Sequence, residues 1–595
     1  MMASLFYEAI DAIRDNNITH LEKLLKQNSA LIEERINKRS LLLFAILHDR
    51  LRACRLLTRN GAGFMDKDEN GTTIFHWAVI ADARKCIKYI LGLPLPIDQS
   101  SLIVLKNNHQ ITPIHMAARY GRSKLLKTLL TTIADHENFY LFVNDCIGQS
   151  PLHYAASYGH EECCEILLDD RLGLPIDQKD KFGHTPFMCA AASSSLGADK
   201  IARLLGNRKK FSATARDNSG RSALHYAVIT HDITFIDVIL DELMCPAEIF
   251  DNDARTPLHY AALQGKLNVV KRLLKGKARN ATRDCYGVSP AHYAAQRGYI
   301  DVVDCILKSA GGVEQFDSDG RSCFMWAVIA DEEEMVNHFL SLFSPDRSHH
   351  DKYGYTALHH AAHVGSVRLV KLLVKEGWDI HDVDVVGSTP LHLAAGNGHT
   401  AVTRLLIMIG ANGEQTDRQG RTPIFYACLG GQAHTLKVML NELNCKAEHT
   451  DKLGRTALHC AAFAGFAACI EVLLEETDCP VYQEDIDQLT ALHIACERGK
   501  LDCVKLLVKY GAAVNTLSMV EDWTPLSCAQ INGHQQIADY LMRNGGLFPN
   551  QLRNLAAIII QKWWRCFKKK SEHAEQSCKF LNTFKKDFLK PTKYL

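Results

Sequence analysis

Gly387-Ser-Thr-Pro-Leu-His-Leu-Ala-Ala-Gly-Asn-Gly-His-Thr-Ala-Val-Thr-Arg-Leu-Leu-Ile-Met-Ile-Gly-Ala-Asn412 decides the fold. Thr389 is placed to cap a helix with its hydroxyl, and Pro390 fills the first helical position, where a missing N–H costs nothing. Leu391, Ala394 and Ala395 give that helix a narrow apolar face, and Asn397-Gly398 breaks it. Val402, Leu405, Leu406 and Ile409 then supply an apolar stripe at helical spacing, stopped by Gly410. Two helices this short cannot bury their apolar faces alone, so the unit requires stacked neighbours.

Aligned on the capping residue, the phrase recurs at Thr73, Thr112, Ser150, Thr185, Ser222, Thr256, Ser289, Ser322, Thr356, Thr389, Thr422, Thr456, Thr490 and Thr524. From Ser222 onward the steps are 33 or 34 residues. A 33-residue period carrying Thr-Pro-Leu-His-x-Ala-Ala resembles the ankyrin repeat, which implies a turn and two antiparallel helices per repeat. Ser40-Leu-Leu-Leu-Phe-Ala-Ile46 is a degraded copy. Residues 1–35 hold paired helical patterns without the motif, as an atypical capping repeat requires. The expected fold is all-α: an ankyrin-repeat solenoid of about sixteen helix-turn-helix repeats over residues 1–548, followed by a further helix. Between Thr73 and Ser222 the steps lengthen to 35–39 residues, which places longer finger loops within 96–217. Those loops read either as a partner surface or as tolerated drift.

The motif histidine recurs ten times, at His76, His115, His153, His225, His259, His292, His359, His392, His459 and His493. Successive copies lie about 10 Å apart in a stack of packed helices, whereas metal ligation needs about 2 Å. The histidines are therefore structural, expected to bond the neighbouring Thr hydroxyl and loop backbone. Met188, Met325, Phe425 and Ser527 replace it in four repeats. Ser527 is expected to need no loop partner because its repeat is the last. Phe75-His-Trp-Ala-Val-Ile-Ala-Asp82 and Phe324-Met-Trp-Ala-Val-Ile-Ala-Asp331 share seven of eight residues. Trp77 and Trp326, on first helices, are candidate concave partner contacts; packing against the adjacent repeat is the alternative.

Hydrophobic content of 47% and charged content of 23% suit a folded, soluble, cytoplasmic chain. No membrane span or signal peptide is legible. Twenty cysteines are scattered without a Cys-x-x-Cys, and many, such as Cys86, Cys305, Cys460, Cys496 and Cys503, fall on helix stripes, so they read as reduced fillers. No phosphate-binding, hydrolase, zinc-protease or kinase signature occurs, so a non-enzymatic role is expected, with no small-molecule substrate, cofactor or metal. The net charge of +1 hides an asymmetry: from residue 551 onward eleven Lys/Arg face three Asp/Glu, leaving the rest at −7. Nucleic-acid binding by a mildly acidic array is not expected.

Beyond the repeats, Leu552, Leu555, Ala556, Ile559, Ile560, Trp563, Trp564 and Phe567 recur at spacings of three and four, predicting an amphipathic helix over 549–571. Lys562, Arg565, Lys568, Lys569 and Lys570 add cations. Ile560-Gln-Lys-Trp-Trp-Arg-Cys-Phe-Lys-Lys-Lys570 resembles the IQ motif, with Cys566 where glycine is usual. That resemblance implies calmodulin or a calmodulin-like light chain as partner, with Ile560 buried and Gln561 and Arg565 bonding polar and acidic groups of its lobes. Folding back onto the array is the alternative use of the helix. Residues 572–595 read as a basic, disordered tail able to touch a membrane surface.

About sixteen repeats running into an IQ helix, with Asp319-Gly-Arg-Ser-Cys-Phe-Met-Trp-Ala327 lacking the usual Pro-Leu-His, resembles the inversin-like, nephrocystin-class proteins of the primary cilium. The resemblance implies a scaffold in ciliary assembly or signalling (Wnt and planar polarity, left–right patterning, renal tubule), with nephrocystin-class proteins or Dishevelled as partners. The competing expectation is a cytoskeletal or membrane-cortex anchor that uses the basic tail without calmodulin.

Overall fold

The computed structural model describes residues 2–35, 39–64, 67–93, 102–133, 144–195, 197–231, 233–311, 314–519 and 522–569. Among these the secondary structure is helical, apart from isolated antiparallel bridges such as Phe316 with Ser322. The chain divides into two compact units, Met1–Ala294 with Tyr299–Gln315, and Phe316–Leu595 with Ala295–Gly298. Among the described residues, nine helix pairs run from Met2–Arg14 and Ile18–Gln27 to Pro290–Gln296 and Ile300–Ser309. Seven more run from Cys323–Ile329 and Glu333–Leu342 to Pro525–Ile531 and Gln535–Arg543, followed by the helix Pro549–Lys569.

In the opening stretch the helices are Pro390–Gly396 and Thr400–Met408. The first is buried on nearly every side, including Leu391, His392, Ala394 and Ala395, because it lies between the first helices of its neighbours. Small residues are required there: an added Cβ on Gly430 would collide with the carbonyl of Gly396 one repeat earlier. The second helix buries Val402, Thr403 and Leu406, while Leu405 is half-buried and Ile409 is exposed. The inward face is thus turned by one position from the aliphatic stripe, and it takes in a threonine. Gly410 adopts φ 107°, the left-handed conformation that ends the helix.

The first helix pair lacks the threonine motif and uses Asn17, whose side chain accepts from the His20 N–H, and the next uses Ser40 in the same way toward Leu43. The core is aliphatic and thiol-rich. Cys86, Cys460, Cys496 and Cys503 are buried, Cys305 is half-buried, and all the described cysteines are free thiols. Burial pushes the Cys460 thiol up to about 11, so it stays protonated and unreactive.

Candidate interaction surfaces

Most loops before a first helix are built on one aspartate, with Asn107 and Ser518 in its place in two of them. The Asp384 carboxylate accepts from the N–H groups of Val386 (2.8 Å) and Ser388 (2.7 Å), and its backbone closes the turn with Gly387 and Ser388 (both 3.0 Å). The same Asp-x-x-Gly turn recurs at Asp145, Asp180, Asp217, Asp284, Asp351, Asp417 and Asp451. Neighbouring turns join through the backbone: Val385 N–H donates to the Tyr353 carbonyl (3.0 Å), and Arg418 N–H to the Val386 carbonyl (2.8 Å). The fingers are therefore hydrogen-bonded to one another.

The His392 ring sits behind the turn, fully buried. Its Nδ1 accepts from the Thr389 backbone N–H at 3.1 Å and lies 2.9 Å from the Thr389 hydroxyl, while Nε2 is 3.1 Å from the Arg421 carbonyl of the next repeat. A backbone N–H only donates and a carbonyl only accepts, so these partners require the neutral tautomer protonated at Nε2. Burial accordingly pushes His392 down to about 4, as it does His76, His225, His259 and His493. Each ring joins its own helix cap to the following loop. Where Phe425 replaces the histidine, the Thr422 hydroxyl is buried without a hydrogen-bond partner. Ser527 bonds only Thr524 of its own cap, yet the segment after the last repeat is still bonded, by the threonine. Ser527 accepts from the Thr524 N–H at 2.6 Å, and the Thr524 hydroxyl donates to the Leu547 carbonyl at 2.9 Å, because the segment after the last repeat packs as another loop would.

Trp77 and Trp326 are half-buried, and their indole N–H groups donate to Asp68 (3.2 Å) and Asp317 (2.9 Å). They occupy the place of Tyr154, Tyr260 and Tyr293, whose hydroxyls donate to Asp145, Asp251 and Asp284. The aspartate and the aromatic lie nine residues apart throughout, a regularity legible in the sequence that motif reasoning missed. Arg421 completes one such cluster, paired with Asp417 at 2.7 Å and lying 5.1 Å from the Tyr426 ring centroid.

Two surfaces stand out. In the second unit the turn tips carry exposed apolar side chains on Tyr353, Val385, Val386, Leu453, Ile486 and Met519. The signal available in the sequence was an apolar residue just after the turn aspartate or its counterpart Ser518, on the side facing solvent. In the first unit the long connections 168–178 and 208–210 enclose a cleft of about 500 Å³ lined by Asp177, Arg208, Lys209 and Lys210. One oxygen of Asp177 is buried there without a partner, and burial raises its carboxyl above the usual range. The remaining long-finger segments 96–101 and 136–143 lie outside the described residues.

The helix Pro549–Lys569 half-buries Leu552, Ile559 and Trp563, while Leu555, Ile558, Ile560 and Trp564 are exposed. Gln561 and Arg565 are also exposed. The apolar residues thus divide between two sides of the helix. The Phe567 side chain, Lys570 and the tail 572–595 lie outside the described residues. No group of His, Cys, Asp or Glu among the described residues is arranged to hold a metal, and no described helix is long and apolar enough to cross a membrane.

The ankyrin-repeat model, in three-copy form, matches residues 9–101, 100–176, 237–319, 324–417, 405–485 and 478–551. The chain belongs to the ankyrin-repeat family. The chain is similar to inversin from Mus musculus, 32% identical over 361 residues, which cover 59% of this chain and 33% of that protein. Inversin from Homo sapiens is 32% identical over 358 residues, 59% of this chain and 32% of that protein. Human transient receptor potential cation channel subfamily A member 1 is 31% identical over 191 residues, 31% of this chain and 16% of that protein. The chain thus spans about a third of the length of the inversins.

Proposed function

We propose that this chain is a non-enzymatic protein-interaction scaffold of the inversin type. The observation that carries the proposal is the row of apolar turn tips, Tyr353, Val385, Val386, Leu453, Ile486 and Met519, exposed on fingers whose backbones are hydrogen-bonded together. Apolar side chains held in solvent on a rigid support are anchors for a protein partner. Trp77 and Trp326 contribute the unburied parts of their rings to the same role in their own units. The triple variant Val385→Asp, Leu453→Asp, Ile486→Asp is expected to lose the proteins that co-purify with the native chain while keeping its far-UV circular dichroism. An unchanged set of co-purifying proteins would sink the proposal. A tagged full-length chain in ciliated cells tests the ciliary placement that the likeness to inversin suggests.

The terminal helix is the second arm. It offers Ile559, Ile560, Trp563, Trp564 and Phe567 as apolar anchors, with Gln561, Arg565 and Lys570 as polar and cationic contacts for a calmodulin-like lobe. The exposure of Ile560 and Trp564 supports this use over burial against the array. Pull-down with calmodulin, with and without calcium, is expected to retain the native chain and to lose Ile560→Asp. Equal retention of both, or of neither, removes the calmodulin arm.

A further inference from the structure

On the second helices of several repeats, cations are answered by acids of a neighbouring repeat. Arg203 pairs with Glu242 (2.9 Å), Arg404 with Glu442 (2.6 Å) and Lys437 with Glu476 (2.6 Å), and Arg272 reaches both Asp237 and Asp241. Three successive second helices near the start of the first unit break this pattern. Leu51–Arg59, Arg84–Leu91 and Ser123–Ile133 contain no Asp or Glu. They expose Arg52, Arg55 and Arg59, then Lys85 and Lys88, then Lys124 and Lys127. Among the described residues, none of these seven cations has a carboxylate within ion-pairing distance. Of the nearby acids, Asp49 accepts from the Cys86 N–H at 3.2 Å, Asp82 holds Arg84 at 2.6 Å and Asp169 holds Arg171 at 2.5 Å, while Glu165, which lines a pocket with Lys127, bounds the face on the side of the next repeat.

The helices are tied side by side. Thr58 and Tyr89 share a hydroxyl hydrogen bond of 3.2 Å, and Asp82 links to Arg122, which precedes the third helix, at 3.8 Å. Cations three residues apart rise about 4.5 Å along a helix. Packed helices lie about 8–10 Å apart. The seven charges therefore form a two-dimensional array rather than a stripe.

We infer that this face docks on an anionic lipid surface. A protein partner normally needs an apolar, aromatic-rich centre, and no large apolar side chain is exposed on the described parts of these helices. A nucleic acid is usually tracked by a line of cations with stacking aromatics, whereas the aromatic here, Tyr89, is half-buried beneath Arg55, whose guanidinium lies 5.3 Å from the ring centroid. Lipid headgroups present phosphates across a plane and require no apolar anchor. This site is separate from the turn tips and from the terminal helix.

The test is co-sedimentation of the full chain with phosphatidylcholine vesicles carrying phosphatidylserine, against phosphatidylcholine alone. Binding is expected only to the anionic vesicles and is expected to fall as salt shortens the screening length from about 10 Å at 0.1 M to about 3 Å at 1 M. At about fivefold per cation, Arg59→Gln/Lys88→Gln/Lys127→Gln should weaken binding about a hundredfold with an unchanged melting curve. Lys85→Gln/Lys124→Gln should weaken it about twentyfold and serves if the triple variant misfolds. Native binding by these variants overturns the inference, as does loss confined to Lys568→Gln/Lys569→Gln/Lys570→Gln. Tighter binding to polyglutamate or duplex DNA than to anionic vesicles also overturns it.

Discussion

Thr389 and Thr422 occupy the same place in adjacent repeats and face opposite energetics. Thr389 shares its hydroxyl with His392, whereas the Thr422 hydroxyl is buried beside Phe425 with no partner. Thr389→Val is expected to lower stability by about 1–2 kcal/mol through the lost cap and bond. Thr422→Val, which removes an unpaired polar group at nearly constant volume, is expected to be neutral or stabilising by up to about 1 kcal/mol. Urea midpoints of the two variants measure the contrast, and an equal loss in both would refute it. His392→Ala strands the Thr389 N–H, takes from the Arg421 carbonyl one of its two donors (the Asp417 N–H at 2.9 Å remains) and leaves a cavity, and should lower stability by about 2–4 kcal/mol in the same assay.

Between elements, the spacing of first helices is set by small residues. Gly430 packs so closely on the Gly396 carbonyl that a methyl group must push the helices Pro390–Gly396 and Pro423–Leu429 apart. Gly430→Ala should cost about 1–3 kcal/mol by overpacking. Gly396→Ala, whose Cβ would meet Tyr426 no closer than 3.4 Å, should change stability by less than about 1 kcal/mol. Thermal melts of the pair decide it; the reverse order would show that the contact does not limit packing. The turns obey a similar economy. The apolar tips Val385 and Ile486 are tolerated because the aspartate before each satisfies the turn backbone without help from the tip side chain.

Across the whole molecule the buried motif histidines act together on acid stability. His76, His225, His259, His392 and His493 titrate near 4 in the fold against 6.5 when unfolded, so between those values the unfolded chain binds more protons. Their stabilisation is present in full above pH 6.5 and is lost as pH falls toward 4, at up to about 1.4 kcal/mol per pH unit for each group. The urea midpoint should therefore decline steeply from pH 6.5 to pH 4 and stay level between pH 7 and pH 8. A level midpoint down to pH 5 would exclude buried neutral histidines.

The sequence by itself determined the repeat. Caps, proline at the first helical position, the turn aspartates and the glycines act over a few residues, and their 33-residue recurrence sets the stacking without knowledge of any partner surface. It also determined that the histidines are structural, since a period cannot bring them to one metal. The tertiary structure decided what remains exposed. Trp77 and Trp326 turn out to be bonded to turn aspartates, Thr403 rather than Ile409 faces inward, and the apolar residues of the last helix divide between two sides. Likewise, seven cations on three helices become one face without ion pairs only because the second helices of successive repeats lie together and acids such as Asp49 and Asp82 are used elsewhere. Helix formation is governed by near neighbours in the chain, whereas exposure and charge pairing depend on residues a repeat or more away, and one-dimensional spacing does not encode that arrangement.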